Sequence, residues 1–266
     1  YGVFYISRIH DRYPLPALHI RRCYGRYKRI LGKKGTKMEA EIDIKMEIYL
    51  KPTIIINSDH VSIIKKAVEL TTHCNSESEK AIALFYFVRD SIHYSVYMIS
   101  TKFEDFVAST VLERAKGYCV QKAVLLAALA RATGIPSRLK FAKIKNHRMP
   151  KDLIEQTGIN FFPSHGYTQI FINQRWLNVT PAFDKSLCEI SDVPVVEFDG
   201  INDATLAPYG SDGKPYIEYI EKYDPQPDLP FEWLHSKVSS IWGEKNAWLT
   251  NEDSRNHKMP SGYEFK

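Results

Sequence analysis

Long apolar runs are missing from this chain, and their absence excludes a class of protein at once. The longest uninterrupted run, AVLLAALA, is far too short to span a bilayer, so no transmembrane helix is expected. The opening YGVFYISRIH is broken by Ser7 and Arg8 and has no apolar signal core, which points to a cytoplasmic protein. Cysteine is scarce: Cys23, Cys74, Cys119 and Cys188 lie far apart, with no C-x-x-C pair and no Cys/His zinc spacing. That argues against a disulfide framework and a structural zinc site. H-E-x-x-H, G-x-S-x-G, the P-loop and G-x-G-x-x-G are all absent, which removes the usual metalloprotease, serine hydrolase and nucleotide readings. No EF-hand loop occurs either, so neither a metal nor an organic cofactor is expected.

What is present is an ordinary globular composition, 44% hydrophobic and 25% charged, on a chain long enough for a sizeable core. The net charge of +5 is unevenly spread. Residues 1–37 hold ten Lys and Arg against one acid, Asp11, which leaves a mildly acidic body. Such a segment could be a basic arm for nucleic acid or an anionic surface. The competing reading, preferred because Met38 opens a well-patterned stretch, is that 1–37 is no part of the fold. Nucleic acid is therefore not expected as a partner apart from that segment, and no membrane partner is expected. The remainder divides into a domain over 38–225 and a C-terminal helix with a polar tail over 226–266.

Alternation in AEIDIKMEIYLKP predicts a strand with Ile42, Ile44, Met46 and Ile48 on one face. SDHVSIIKKAVELTTH predicts a helix capped at Ser58-Asp59, with Val61, Ile64 and Val68 as its stripe. SESEKAIALFYFVRDSIHY predicts another, capped at Ser76, burying Ala81, Leu84, Phe85 and Val88. SRLKFAKIKN and GYTQIFINQRWLNVTP read as strands, the second a hairpin turning at Asn173-Gln174. Beyond Pro181 the sequence is rich in Asp, Pro and Gly and reads as loop. Helices first, then a central helix, then antiparallel strands give an α+β fold.

The central helix is the informative one. From Val120 to Ala132 it is apolar nearly all round, broken by Gln121, Lys122 and Arg131, and stopped by Gly134 and Pro136. Cys119 falls at its first turn, where unpaired N–H groups and the helix dipole favour a thiolate. A cysteine beside an apolar helix is also an ordinary core residue, so position alone does not decide. A nucleophile needs a base, and that base needs an orienting group. His165, just before GYTQIFI at a strand start, is the first candidate base; His147, among Lys145, Arg148 and Lys151, is the rival. Asp184 could accept from the far ring nitrogen, or could simply cap a turn after Pro181. Tyr94, Tyr97, Phe103, Phe161, Phe162 and Tyr167 could line a cleft but read equally as core, and Trp176 reads as packing between hairpin and helix.

GYCVQKAVLLAALARATGIPSRL followed by HGYTQIFINQRWLNVTPAFD resembles the transglutaminase-like superfamily, which shares a papain-like cysteine-enzyme core. The chain also resembles a bacterial subgroup of transglutaminase-domain proteins with TPAF and EFDG segments, a resemblance running from about Pro52 to Glu218. The resemblance implies a Cys-bearing helix packed on an antiparallel sheet, with Cys119 as nucleophile and His165 as general base. The family's D-P pair reads here Thr180-Pro181, so Asp184, four residues on, is expected to hold the imidazole, with Thr180 the second choice. The implied activity is acyl transfer from amide or ester substrates, a protein or peptide among them, through a thioester, to water or to an amine. The alternative is a non-catalytic binding module with an incomplete triad.

Overall fold

The computed structural model describes residues 46–149, 151, 154, 155, 158 and 160–242. Around one buried helix, α4 (Cys119–Ala132), three helices pack on one side and a sheet on the other. The helices are α1 (Val61–Thr71), α2 (Glu77–Ser91) and α3 (Ala108–Arg114). The short strands β1 (His93–Tyr94) and β2 (Lys116–Gly117) pair in parallel between them. The main sheet holds β3 (Ser137–Asn146), β4 (Phe161–Ile172), β5 (Arg175–Val179) and β6 (Ile217–Lys222) in the order β5-β4-β3-β6, each neighbour antiparallel. Two further helices, α5 (Lys185–Ile190) and α6 (Phe231–Trp242), complete the α+β fold expected from the element order.

Every residue of α4 from Cys119 to Arg131 is buried, which is why the sequence is apolar all round. Its three polar interruptions are tied to backbone groups rather than left bare. Gln121 Nε2 donates to the Met98 and Asp105 carbonyls, both at 3.0 Å, and its Oε1 accepts from Tyr118 N at 3.1 Å. Lys122 Nζ donates to Arg89 O at 3.0 Å and Ile92 O at 2.5 Å, at the end of α2. Arg131 donates to the carbonyls of Lys51, Ser137 and Pro227. The helix thus fixes four separate loops as well as the core. Gly134, at φ +83°, lets the chain turn out of it.

Several expectations hold and several shift. The Ser76 cap is present, its Oγ accepting from Glu79 N at 3.1 Å, and Ala81, Leu84, Phe85 and Val88 are buried. The hairpin turns at Asn173 and Gln174, both with positive φ. In α1 the cap is His60, not Ser58-Asp59, and the buried face is Ile63 and Ala67, while Val61 and Val68 are exposed. Two apolar stripes run along that helix, and packing against α2 and α4 takes the one starting at Ile63. The strand expected through Met46 and Ile48 is instead a helical turn, closed by Tyr49 N to Met46 O at 3.0 Å and Leu50 N to Glu47 O at 3.1 Å. Its Tyr49 ring packs edge-on against Trp176 at 5.1 Å, so side-chain contact with the hairpin overrides the alternation. Ile42, Ile44 and the basic segment 1–37 lie outside the described residues. β6, read as loop, is an edge strand whose residues 218, 220, 221 and 222 are exposed, leaving little pattern to see.

Candidate active site

The chemistry converges where the start of α4 meets the middle of β4. Tyr118 is the N-cap of α4 and Cys119 its first residue. Gly166 permits the contact: a Cβ there would sit 2.9 Å from the Val120 Cα. Thr168 Oγ1 donates to Ala123 O at 2.9 Å, fixing the helix along the same strand. β4 starts at Phe161 rather than near Gly166, so His165 sits inside the strand, opposite Ala142, and not at a strand entry. Pro163, which has no N–H to give the ladder, accompanies the register shift between Ala142 and Ile144, where the strand reading was lost.

Cys119 and His165 line one small cavity of about 30 Å³, together with Tyr94, Tyr118, Phe162 and Phe183. The Gly166 backbone N–H is directed at the Cys119 sulfur. Burial outweighs that donor, the adjacent backbone amides and the Lys122 charge, and the thiol is pushed up to about 11. The lowered cysteine expected from the helix start is therefore reversed by desolvation. Burial likewise drives the His165 imidazole down to about 3, with no carboxylate opposing it. At neutral pH the buried site holds a thiol and a neutral ring. Lys122, lowered by burial to about 7 against the pull of Asp184 and Asp90, completes the buried charge pattern.

Asp184 does not serve the ring. Its Oδ1 caps α5, accepting from Leu187 N at 3.0 Å and Ser186 Oγ at 2.6 Å, while Oδ2 accepts from Tyr94 N at 2.9 Å. The capping role, weighed from the sequence as the rival reading, is the one adopted: a helix N–H, a helix hydroxyl and a strand N–H take up both carboxylate oxygens. Its contribution to the site is indirect, through the position of Tyr94. Thr180, the second choice from the sequence, directly follows β5 and is fully buried. Both Thr180 Oγ1 and His165 Nε2 are buried without a hydrogen-bond partner. Tyr219 on β6 joins them. Its ring meets His165 edge-on at 6.2 Å and Tyr167 at 6.4 Å, and its hydroxyl lies beside Thr180 Oγ1, short of a bond of normal geometry. Tyr167 stacks on His165 at 5.9 Å.

The other candidates separate. His147 is on the rim of an open groove, 3.1 Å from Glu218, and is no part of the cysteine cavity. Tyr94 and Phe162 line the cavity, Phe103 packs on Phe231, and Phe161 lies under Lys143 at 4.4 Å. Trp176 packs with Phe171, Tyr49 and Arg138, the guanidinium 3.9 Å over its ring, rather than against α4. Alternation along β4 puts Phe171 on the face opposite the helix-facing Thr168, and Trp176 follows it. Tyr118, Gly166, Tyr219 and Val238 were missed; only Gly166, a glycine inside a strand pattern, carried a usable signal. No group of three or more metal-ligating side chains occurs among the described residues.

Comparison with known proteins bears on this core. The family model for the Transglutaminase-like superfamily matches residues 64–181, a span containing Cys119, His165 and Thr180. A candidate cysteine protease structure from Cytophaga hutchinsonii is 20% identical over 52% of this chain and 42% of its own, with a TM-score of 0.40. A candidate protease from Parabacteroides distasonis is 19% identical over 51% of this chain and 25% of its own, with a TM-score of 0.33. A structure described as a TGase is 17% identical over 60% of this chain and 37% of its own, with a TM-score of 0.30. This chain thus spans less than half the length of each. No curated protein matches it.

Proposed function

With residues 64–181 a transglutaminase-like core, we propose that this protein carries out cysteine-dependent acyl transfer on amide or ester substrates through a thioester. The observation that carries the reading is Cys119, at the N-terminus of a buried helix, sharing a cavity with His165 while the next N–H, that of Gly166, addresses its sulfur. Cys119 Sγ forms a bond to the acyl carbon and the thiol proton passes to His165. The carbonyl oxygen, negative in the intermediate, is held by the Cys119 backbone N–H at the helix start. As the C–N or C–O bond breaks, His165 returns the proton to the leaving amine or alkoxide. Water or an amine then attacks the thioester, its proton goes to His165, and the thiol is regenerated. A protein or peptide is the natural acyl donor for such a site. Cys74, Cys119 and Cys188 are free thiols, which suits a reducing compartment such as the cytoplasm.

The test is turnover of a chromogenic ester and of a glutamine-bearing peptide, with and without an added primary amine. Product release lost on both Cys119→Ala and His165→Ala is expected, and amine incorporation separates transferase from hydrolase. Turnover that survives either substitution contradicts the proposal. A second reading, a binding module without chemistry, draws on one observation: no carboxylate engages His165, whose Nε2 is unpartnered. In that case neither ester nor peptide reacts, although the folded protein is intact.

A further inference from the structure

One wall of the cavity at Cys119 comes from α6. In α6 the Phe231 ring meets Phe103 at 5.2 Å and Phe106 at 5.8 Å, and Trp233 meets Phe141 at 5.3 Å and Tyr223 at 5.1 Å. Leu234 and Val238 are 1% and 3% exposed, and Val238 lines the cavity shared by Cys119 and His165. Phe231, Leu234 and Val238 fall at i, i+3 and i+7, one face of the helix. Beneath it Cys119 is only 7% exposed and His165 2%.

Among the described residues the backbone hydrogen bonds of α6 are internal or reach only the turn before it, at Leu229 and Pro230. The chain is anchored just upstream, where Gln226 exchanges both backbone bonds with Leu139 at 2.8 Å and Arg131 holds the Pro227 carbonyl. Beyond Pro227 and Pro230, α6 is held by side-chain packing. A second observation points to an absent ligand. The Tyr118 hydroxyl, in the wall of the same cavity, is buried with no hydrogen-bond partner. Leaving such a group bare is unfavourable, and a carbonyl placed over Cys119 would relieve it.

We propose that the aromatic trough under α6 is the docking cleft for a polypeptide acyl donor bearing aromatic or branched apolar side chains, and that α6 occupies it as an intramolecular plug. The inference rests on Cys119 being the nucleophile. The side chains of α6 show what the cleft accepts: an aromatic ring between Phe103 and Phe106, a second between Phe141 and Tyr223, and a branched aliphatic group over the sulfur. The helix leaves by rotation about 227–230, and the incoming polypeptide takes its place with a carbonyl within reach of the Tyr118 hydroxyl.

The experiment uses the full chain and site-mapped alkylation by iodoacetamide, with buried Cys188 as the internal reference for folding. Val238→Asp, which places a charge in the apolar contact, should speed Cys119 labelling about tenfold or more while Cys188 stays protected. A synthetic peptide of residues 229–242, added in trans, should slow that labelling again. If Cys188 is also exposed, the milder Val238→Ala is judged by the same criterion, with a few-fold acceleration expected. Labelling at the wild-type rate in whichever variant keeps Cys188 protected overturns the plug. Accelerated labelling with no thioester from an ester donor would sink the catalytic reading and leave the plug standing; the converse pattern would do the opposite.

Discussion

At the scale of single residues, the site is defined by two buried neutral groups, and burial is the dominant influence on both. Cys119 and His165 stand out in the sequence through the two stretches that resemble the transglutaminase-like superfamily; taken singly, a cysteine at the mouth of an apolar helix and a histidine before an alternating stretch read as ordinary core and loop residues. The orienting group was not legible. Asp184 is an acid at a plausible distance along the chain, yet the Leu187 N–H and the Ser186 hydroxyl of α5 claim one of its oxygens and Tyr94 N the other. Only the fold reveals that Tyr219, from the edge strand, meets the His165 ring and lies beside Thr180. The His165 environment has a consequence for stability against pH. Its folded pKa, about 3, is below the ordinary 6.5, so between these values the unfolded chain binds a proton that the folded chain does not. Stability contributed by the neutral ring is therefore full above pH 6.5 and is lost as pH falls toward 3. Between pH 6.5 and 4.5 this amounts to about 2 kcal/mol. Urea midpoints of wild type and His165→Gln should converge over that interval; parallel curves would mean the ring is not buried neutral.

At the scale of elements, the helices with strong caps and the hairpin with its Asn173-Gln174 turn were readable because each is determined by neighbours in sequence. What escaped is what tertiary contact decides. The start of β4 was hidden by Pro163 and a bulge, β6 by exposed edge residues, and the 46–50 turn by a strand-like alternation that packing of Tyr49 on Trp176 overrides. The junction of α4 with β4 is the element-level contact on which the site depends, and Gly166 allows it. Gly166→Ala puts a Cβ 2.9 Å from backbone as well as from the Val120 side chain, so repacking a side chain cannot relieve it. A loss of roughly 1–3 kcal/mol in unfolding free energy is expected. Turnover should fall further than stability, because the shift separates the sulfur from the Gly166 N–H and from His165. Wild-type turnover in a folded Gly166→Ala protein would show that this junction does not set the site.

At the scale of the whole molecule, one buried helix organises both halves of the fold. Gln121 and Lys122 hold the chain near the nucleophile, Arg131 ties down the far end of the helix, and Val238 of α6 lines the cavity. The fold class and its central helix followed from the order of elements and from the apolar run, whereas the packing of α6 depends on contacts such as Phe231 with Phe103 and Trp233 with Phe141, far apart in the chain. Such contacts leave no local trace. The account stands or falls on the chemistry of one sulfur atom. Intact-mass measurement after brief exposure to an activated ester, quenched in acid, reads it directly. One acyl adduct mapped to Cys119, labile to hydroxylamine, is predicted for the wild-type chain, absent in Cys119→Ala and strongly reduced in His165→Ala. An adduct on Cys74 or Cys188 instead, or one on Cys119 that forms equally fast without His165, would contradict it.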